Sequence, residues 1–275
     1  MMRYIKLVNF EINRFSKIYL SLLLITLVSQ FAGVIIVTKS LLKDARDIMK
    51  EERLSEAAYI TNYGSLDFNH IANTLLFVGP IALSAVALIF YIFLIWYRDW
   101  FGKNTFIYRL LMLPASRLSI YLSKATAIFL MVLGLIAFQI IILPMQNALF
   151  NSNVPEALLS EMSISTITIA NPILSLIIPS SFTQFLLSYG IGLMIMSILF
   201  TAIMFERSFR IKGIIMGLLY CGIAAVLFLA PVLMEIGNFY FYPNELFGLM
   251  LGIGIILTGL SVWLGAWLLK NRVTV

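Results

Sequence analysis

Few residues in this chain are of types that do covalent chemistry, and none is spaced for it. His70 is the single histidine, so the paired histidines at helical spacing that a zinc-dependent intramembrane protease needs are missing. Gly102-Lys103 is the one Gly-Lys pair, but Asn104 follows it and no earlier glycine stands at the spacing of a phosphate-binding loop. Serines within the apolar runs have no histidine or acid at the same depth to serve as a base. Cys221 is the only cysteine, which excludes an intrachain disulfide and a cysteine metal cluster. The expectation is a chain without catalytic, metal or cofactor-binding residues of its own, and not an enzyme by itself.

The elements carrying these residues are apolar runs too long for a soluble core. Hydrophobic residues make up 61% of the 275 positions, charged residues 12%, and the mean hydropathy is +0.98. About 20 residues rising roughly 1.5 Å each cross a hydrocarbon layer of about 30 Å. Six such runs are present, near 18–38, 74–97, 118–144, 173–205, 213–233 and 245–269. The fold class is therefore all-α, a polytopic membrane protein with six transmembrane helices forming a single transmembrane domain over residues 1–275. The fourth run is overlong and contains Pro172 and Pro179, so its first part is expected to be a separate interfacial or re-entrant piece.

Six crossings place both termini on one side. That side collects fourteen Lys and Arg against Glu11, Asp99 and Glu206, whereas the other holds five Lys and Arg against ten acids. The positive-inside rule makes the first side cytoplasmic. This asymmetry accounts for the net charge of +6 without a nucleic-acid partner. No small-residue cleavage site follows the first run, which is read as retained.

Three segments outside the spans have their own pattern. In residues 1–17, Tyr4, Ile5, Val8, Ile12 and Phe15 share one helical face and Arg3, Lys6, Asn9, Asn13, Arg14 and Lys17 the other, predicting an N-terminal interfacial helix on membrane lipid that enters span 1 at an angle. The external loop, 39–73, begins with Leu41, Leu42, Ala45, Ile48 and Met49 at helical spacing, as if span 1 continued outward with salt-bridged charges around it. Between Met145 and Asn171, Asn147, Asn151 and Asn153 with Pro155 read as turn residues. Trp96 and Trp100, like Trp263 and Trp267, suit an aromatic belt at the cytoplasmic interface, as Tyr240 and Tyr242 do outside. Gly248, Gly252, Gly259 and Gly265 suit close packing against another span.

Ion-coupled carriers place acids or histidines near the bilayer midplane. Here every Asp, Glu and His maps to a loop or a span end, and Lys124 lies where it can snorkel to the cytoplasmic interface. Energy for transport must come from outside the chain, or the chain is a passive pore or scaffold.

The stretch Trp96 to Lys124 bears on that choice. It is a basic, aromatic loop containing Arg109-Leu-Leu-Met-Leu-Pro114-Ala-Ser-Arg117, followed by Ile120 and Lys124. This run resembles the segment after the second span in membrane (permease) subunits of ABC type-2 exporters, where a coupling helix, a Leu-rich stretch, a Pro-x-Ser-Arg turn and a lysine starting the third span recur in this order. The six-span topology, the N-terminal helix and the cytoplasmic termini are similar too. Tyr97-Arg98-Asp99-Trp100 departs from the family's Glu-Arg, Glu206-Arg207 instead follows span 4, and the extension after span 1 is longer.

The resemblance implies a permease subunit in a bacterial cell membrane. It pairs with a second permease subunit, the same or a sister chain, and with separate ATP-binding ABC subunits that carry the ATP and Mg. It also implies a short cytoplasmic coupling helix within 98–117, near 105–113, offering Phe106, Leu110 and Leu113 as a docking stripe with Arg109 at its margin. Pro114 would end that helix and Arg117 would cap or anchor the turn. An apolar lateral cavity would suit a peptide, antimicrobial or lipid-like amphiphile. The alternative is a membrane scaffold or immunity protein that binds a partner without transport.

Overall fold

The structure is a computed structural model that describes residues 2–100, 116–236 and 240–272. Among these residues it is helical almost throughout: α1 (Met2–Glu51), α2 (Glu56–Tyr63), α3 (Asn69–Ala72), α4 (Leu75–Trp100), α5 (Arg117–Asn153), α6 (Ile164–Ala170), α7 (Pro172–Ile177), α8 (Phe182–Phe209), α9 (Ile211–Ile236) and α10 (Pro243–Asn271). Six of them, α1, α4, α5, α8, α9 and α10, are long and apolar enough to cross a membrane. The one β-type contact is a parallel bridge between Leu66 and Leu159.

Several boundaries differ from expectation for identifiable reasons. Helix α1 runs unbroken for 50 residues, about 75 Å at 1.5 Å per residue, with no proline to interrupt it. Residues 2–17 are therefore its first turns and not a separate helix. It ends where Arg53 adopts φ 52 and the Leu54 amide reaches back to the Met49 carbonyl at 3.0 Å, a left-handed helix stop. Helix α5 passes through Pro144 and continues to Asn153. Asn147, Asn151 and Asn153 accordingly sit in helix, where Asn153 Nδ2 donates to the Leu149 carbonyl at 2.6 Å. The fourth run is broken as expected, into α7 and α8.

The chain forms two compact units. The first comprises Ser16–Ala87 and Val132–Phe182. Its core gathers Val34 and Ala45 of α1, Tyr59, Phe68, Ile71 and Phe77, and Leu143, Phe150, Ile167 and Leu174. Phe68 meets Phe77 and Phe150 edge-on with centroids 5.9 Å apart in each pair. Leu41, Leu42, Ile48 and Met49 pack against this core, as their spacing predicts. No ion pair joins the charges of α1 between Lys39 and Glu51 to any described residue, contrary to the salt-bridged extension expected.

A polar seam crosses the same unit. Pro80 cannot donate to the Leu76 carbonyl one turn back, and Ser29 Oγ donates to that oxygen instead at 2.9 Å. Gln30 Nε2 donates to the next carbonyl, Phe77, at 3.0 Å and to Gln139 Oε1 at 3.2 Å, while Gln146 Nε2 donates to Gln30 Oε1 at 2.9 Å. Gly33 permits the approach, since a Cβ there would stand 3.0 Å from Leu76 Cβ.

The second unit comprises Met1–Phe15, Leu88–Met131 and Thr183–Val275. Helices α8 and α9 fold back through Arg210, at φ 55. Gly213 and Gly217 make the hairpin tight, because a Cβ on Gly213 would collide with the Phe205 carbonyl and one on Gly217 would lie 3.0 Å from the Ala202 carbonyl oxygen. Tyr121 donates to the Ser197 carbonyl at 2.9 Å and Thr201 to that of Ser261 at 2.7 Å, fastening α5, α8 and α10. Of the glycines expected to pack closely, only Gly265 does. Its Cβ would stand 2.6 Å from the Tyr121 ring, whereas Gly248, Gly252 and Gly259 meet nothing within 4 Å. Gly265→Ala should therefore overpack this junction at about 1–3 kcal/mol and lower the thermal midpoint in detergent. Gly259→Ala should leave it unchanged or higher.

Candidate functional site

The site grows from one face of α1. Tyr4, Val8, Glu11 and Phe15 recur at intervals of four, three and four, so they stack on one side of the helix. That side is turned inward. Tyr4 hydrogen-bonds Thr126 Oγ1 at 2.5 Å, Val8 is buried, and Phe15 stacks on Tyr91 with centroids 3.9 Å apart. Glu11 lies in the middle of this apolar face and is only 2% exposed. An ionised carboxylate there requires a partner.

The partner is Lys124, in the second turn of α5 and fully buried. Its ammonium donates to Glu11 Oε1 at 2.6 Å, to Asp99 Oδ2 at 2.6 Å and to the Ile95 carbonyl at 3.0 Å. All three N–H donors are thus satisfied. The face of the Trp96 indole lies 5.1 Å from the nitrogen and adds a cation–π contact. Two guanidinium groups close the outer side: Arg14 Nη1 donates to Asp99 Oδ1 at 2.6 Å and Arg98 Nη2 to Glu11 Oε2 at 3.3 Å. Tyr91 donates to the Glu11 carbonyl at 3.3 Å. Three cations therefore enclose two carboxylates, drawn from the starts of α1 and α5 and the end of α4.

Two further fastenings flank the cluster. Tyr97 donates to the Glu206 carboxylate, and Arg207 stacks over the rings of Tyr97 at 4.7 Å and Trp100 at 5.5 Å, which ties the end of α4 to the end of α8. Ser116 caps α5 by accepting the Ser119 amide at 3.2 Å. Arg117 Nη1 donates to the Leu269 carbonyl and to that of Lys270 at 3.3 Å, so it satisfies orphan carbonyls at the C-terminal end of α10. The turn after Pro114 that it was expected to cap or anchor lies outside the described residues. Phe106, Arg109, Leu110, Leu113 and Pro114 lie outside the described residues.

Several expectations are corrected here. Lys124 does not snorkel, because two carboxylates hold it inside. Arg14, assigned to a lipid-facing basic face, is paired with Asp99. Trp96 is buried against Tyr121, Phe200 and Lys124 rather than set in an interfacial belt. Trp263 and Trp267 are exposed, as a belt requires. Glu11 is the residue that sequence reasoning missed. Its signal was an acid occupying the centre of an otherwise apolar helical face.

The geometry ties α1, α4 and α5 to one another at a single buried ion cluster. No group of three His, Cys, Asp or Glu able to hold a metal occurs among the described residues. Compared with known protein families, curated proteins and solved structures, the chain matches none of them.

Removing one partner of a buried ion pair costs about 3–5 kcal/mol, because the other charge is left unpaired. Lys124→Met leaves Glu11 and Asp99 with only the arginines at the rim as counter-charges and should sharply lower thermal stability in detergent. Adding Glu11→Gln and Asp99→Asn should recover most of that loss. A triple variant no more stable than Lys124→Met would show that the lysine acts through packing and not through charge.

Proposed function

We propose that this chain is the permease subunit of an ATP-driven ABC exporter of the type-2 class. It would form a translocation path with a second permease subunit and be driven by separate ATPase subunits. Both termini and the 98–117 segment would lie in the cytoplasm of a bacterial cell, with residues 105–113 as the coupling helix.

One observation carries this reading. The segment 101–115 is bracketed in sequence by residues that the protein fixes with unusual strength: Tyr97 and Asp99 before it, Arg117 and Lys124 after it. A loop that only set topology would need basic residues near a headgroup layer and no buried, fully hydrogen-bonded ion cluster at its roots. A loop that receives force from a motor needs both roots anchored, so that displacement moves α1, α4 and α5 together. Buried ionic groups are costly in a membrane protein and are kept where they do such work.

Transport by this route consumes ATP on the partner and needs no titrating group at mid-membrane. Phe106, Leu110 and Leu113 would dock on the ATPase, with Arg109 beside them and Pro114 ending the helix. The cargo this reading favours is an amphiphilic peptide or lipid-like molecule, for which apolar helix faces would form the walls.

The chain should co-purify with an ATPase subunit in mild detergent, and Leu110→Asp with Leu113→Asp should abolish that association while the permease still folds. Recovery of an intact chain with no ATPase, and reconstituted ATP turnover indifferent to its presence, would favour the membrane scaffold or immunity protein instead.

A further inference from the structure

The outward continuation of α1 carries a second ionic feature, unlike the first in that its cations form no ion pair with a described residue. Lys39, Lys43, Arg46 and Lys50 recur at intervals of four, three and four and fall within about 60° of one another on a helix of 3.6 residues per turn. All four are exposed, and none has an ion-pair partner among the described residues. They line a groove of about 460 Å³ whose other lining residues are Ile35, Thr38, Leu42, Asp47 and Asn153. The acids of the same stretch do not neutralise the stripe: Asp44 and Glu51 lie well round the helix from it, and Asp47 is the single carboxylate in the groove wall. Like charges three or four residues apart repel each other, so this face is stabilised by whatever anion occupies it.

The two ends of the groove differ. Ile35 is exposed and continues the apolar surface of the span, along with Ile36, while Thr38 is occupied by its own helix, donating to the Val34 carbonyl at 2.6 Å. Above them stand Lys39 and Lys43, then Arg46 and Lys50. An occupant must therefore be apolar where it meets the span and anionic just beyond.

We propose that this groove binds the headgroup of an anionic phospholipid, from the leaflet at the end of the bundle opposite the N-terminus. The acyl chains lie along Ile35 at the span end of the groove, and the phosphate is held by Lys39, Lys43 and Arg46. A lipid is favoured over a soluble polyanion because the cationic stripe begins directly at the edge of the hydrocarbon-facing surface. The inference rests on the six membrane-crossing helices alone, so it stands or falls separately from the exporter reading.

The test uses the full chain in phosphatidylcholine vesicles, with Cys221→Ser and a bimane attached at Asn153→Cys on the groove wall. Each cation near an anionic surface strengthens attraction by about fivefold. Spin-labelled phosphatidylglycerol should therefore quench the bimane at least about threefold more than equally labelled phosphatidylcholine. The preference should shrink as salt is raised and vanish in the variant carrying Lys39→Gln, Lys43→Gln, Arg46→Gln and Lys50→Gln, all four at exposed positions. Equal quenching by the two lipids, or a preference that survives in the quadruple variant, overturns the proposal. So does displacement of the spin-labelled phosphatidylglycerol by soluble inositol hexakisphosphate at equimolar amounts, which would assign the groove to a free polyanion.

Discussion

The ammonium of Lys124, held between Glu11 and Asp99, is the contact on which the arrangement of its unit depends. A lysine buried in an apolar bundle is strongly unfavourable unless each of its three protons has an acceptor. Satisfying them takes a carboxylate from α1, a carboxylate from α4 and a backbone carbonyl from α4. Three helices are thus brought to one point by a requirement of solvation. The apolar contacts around it, Phe15 on Tyr91 and Trp96 against Tyr121 and Phe200, exclude water and so strengthen the same charges.

The other unit reaches a comparable end with neutral groups. Pro80 strips a hydrogen bond from its own helix, and the exposed carbonyls become sites to which α1 attaches through Ser29 and Gln30. Amide-to-amide bonds among Gln30, Gln139 and Gln146 extend the attachment to α5. Interhelical hydrogen bonds of this kind contribute on the order of 1 kcal/mol each, so the seam specifies which faces meet more than it adds stability. The ionic joint differs in kind, because losing one member leaves a buried charge with fewer partners.

The six apolar helices were legible in composition and run length, since hydrophobic length is a local property of the sequence. The break before α8 was legible too, from Pro172 and Pro179. What periodicity could not supply was pairing between distant segments. Glu11 and Lys124 are 113 positions apart, and each alone reads as an interfacial charge with water within reach. Only the placement of α1 beside α5 removes that water. The same limit explains the glycines of α10: a small-residue spacing marks where a helix can be approached, and only at Gly265 does a neighbour, Tyr121, arrive. Gly213 and Gly217 carried the same spacing, and there the hairpin partner was adjacent in sequence.

The choice of cation at each position follows from geometry and burial. At the centre of the cluster, a compact ammonium can face two carboxylates, a carbonyl and an indole from one point, whereas a planar guanidinium would need a wider, flatter recess. At the rim the requirement reverses. Arg14 and Arg98 are partly exposed, and their long forks reach inward to a carboxylate from the rim. Lysine inside and arginine outside therefore give one cluster two properties: a buried ammonium with no spare donor, and a partly exposed charged edge. Any displacement of the rim meets resistance from the core, since moving either carboxylate would leave one of the three protons of the buried ammonium without its acceptor.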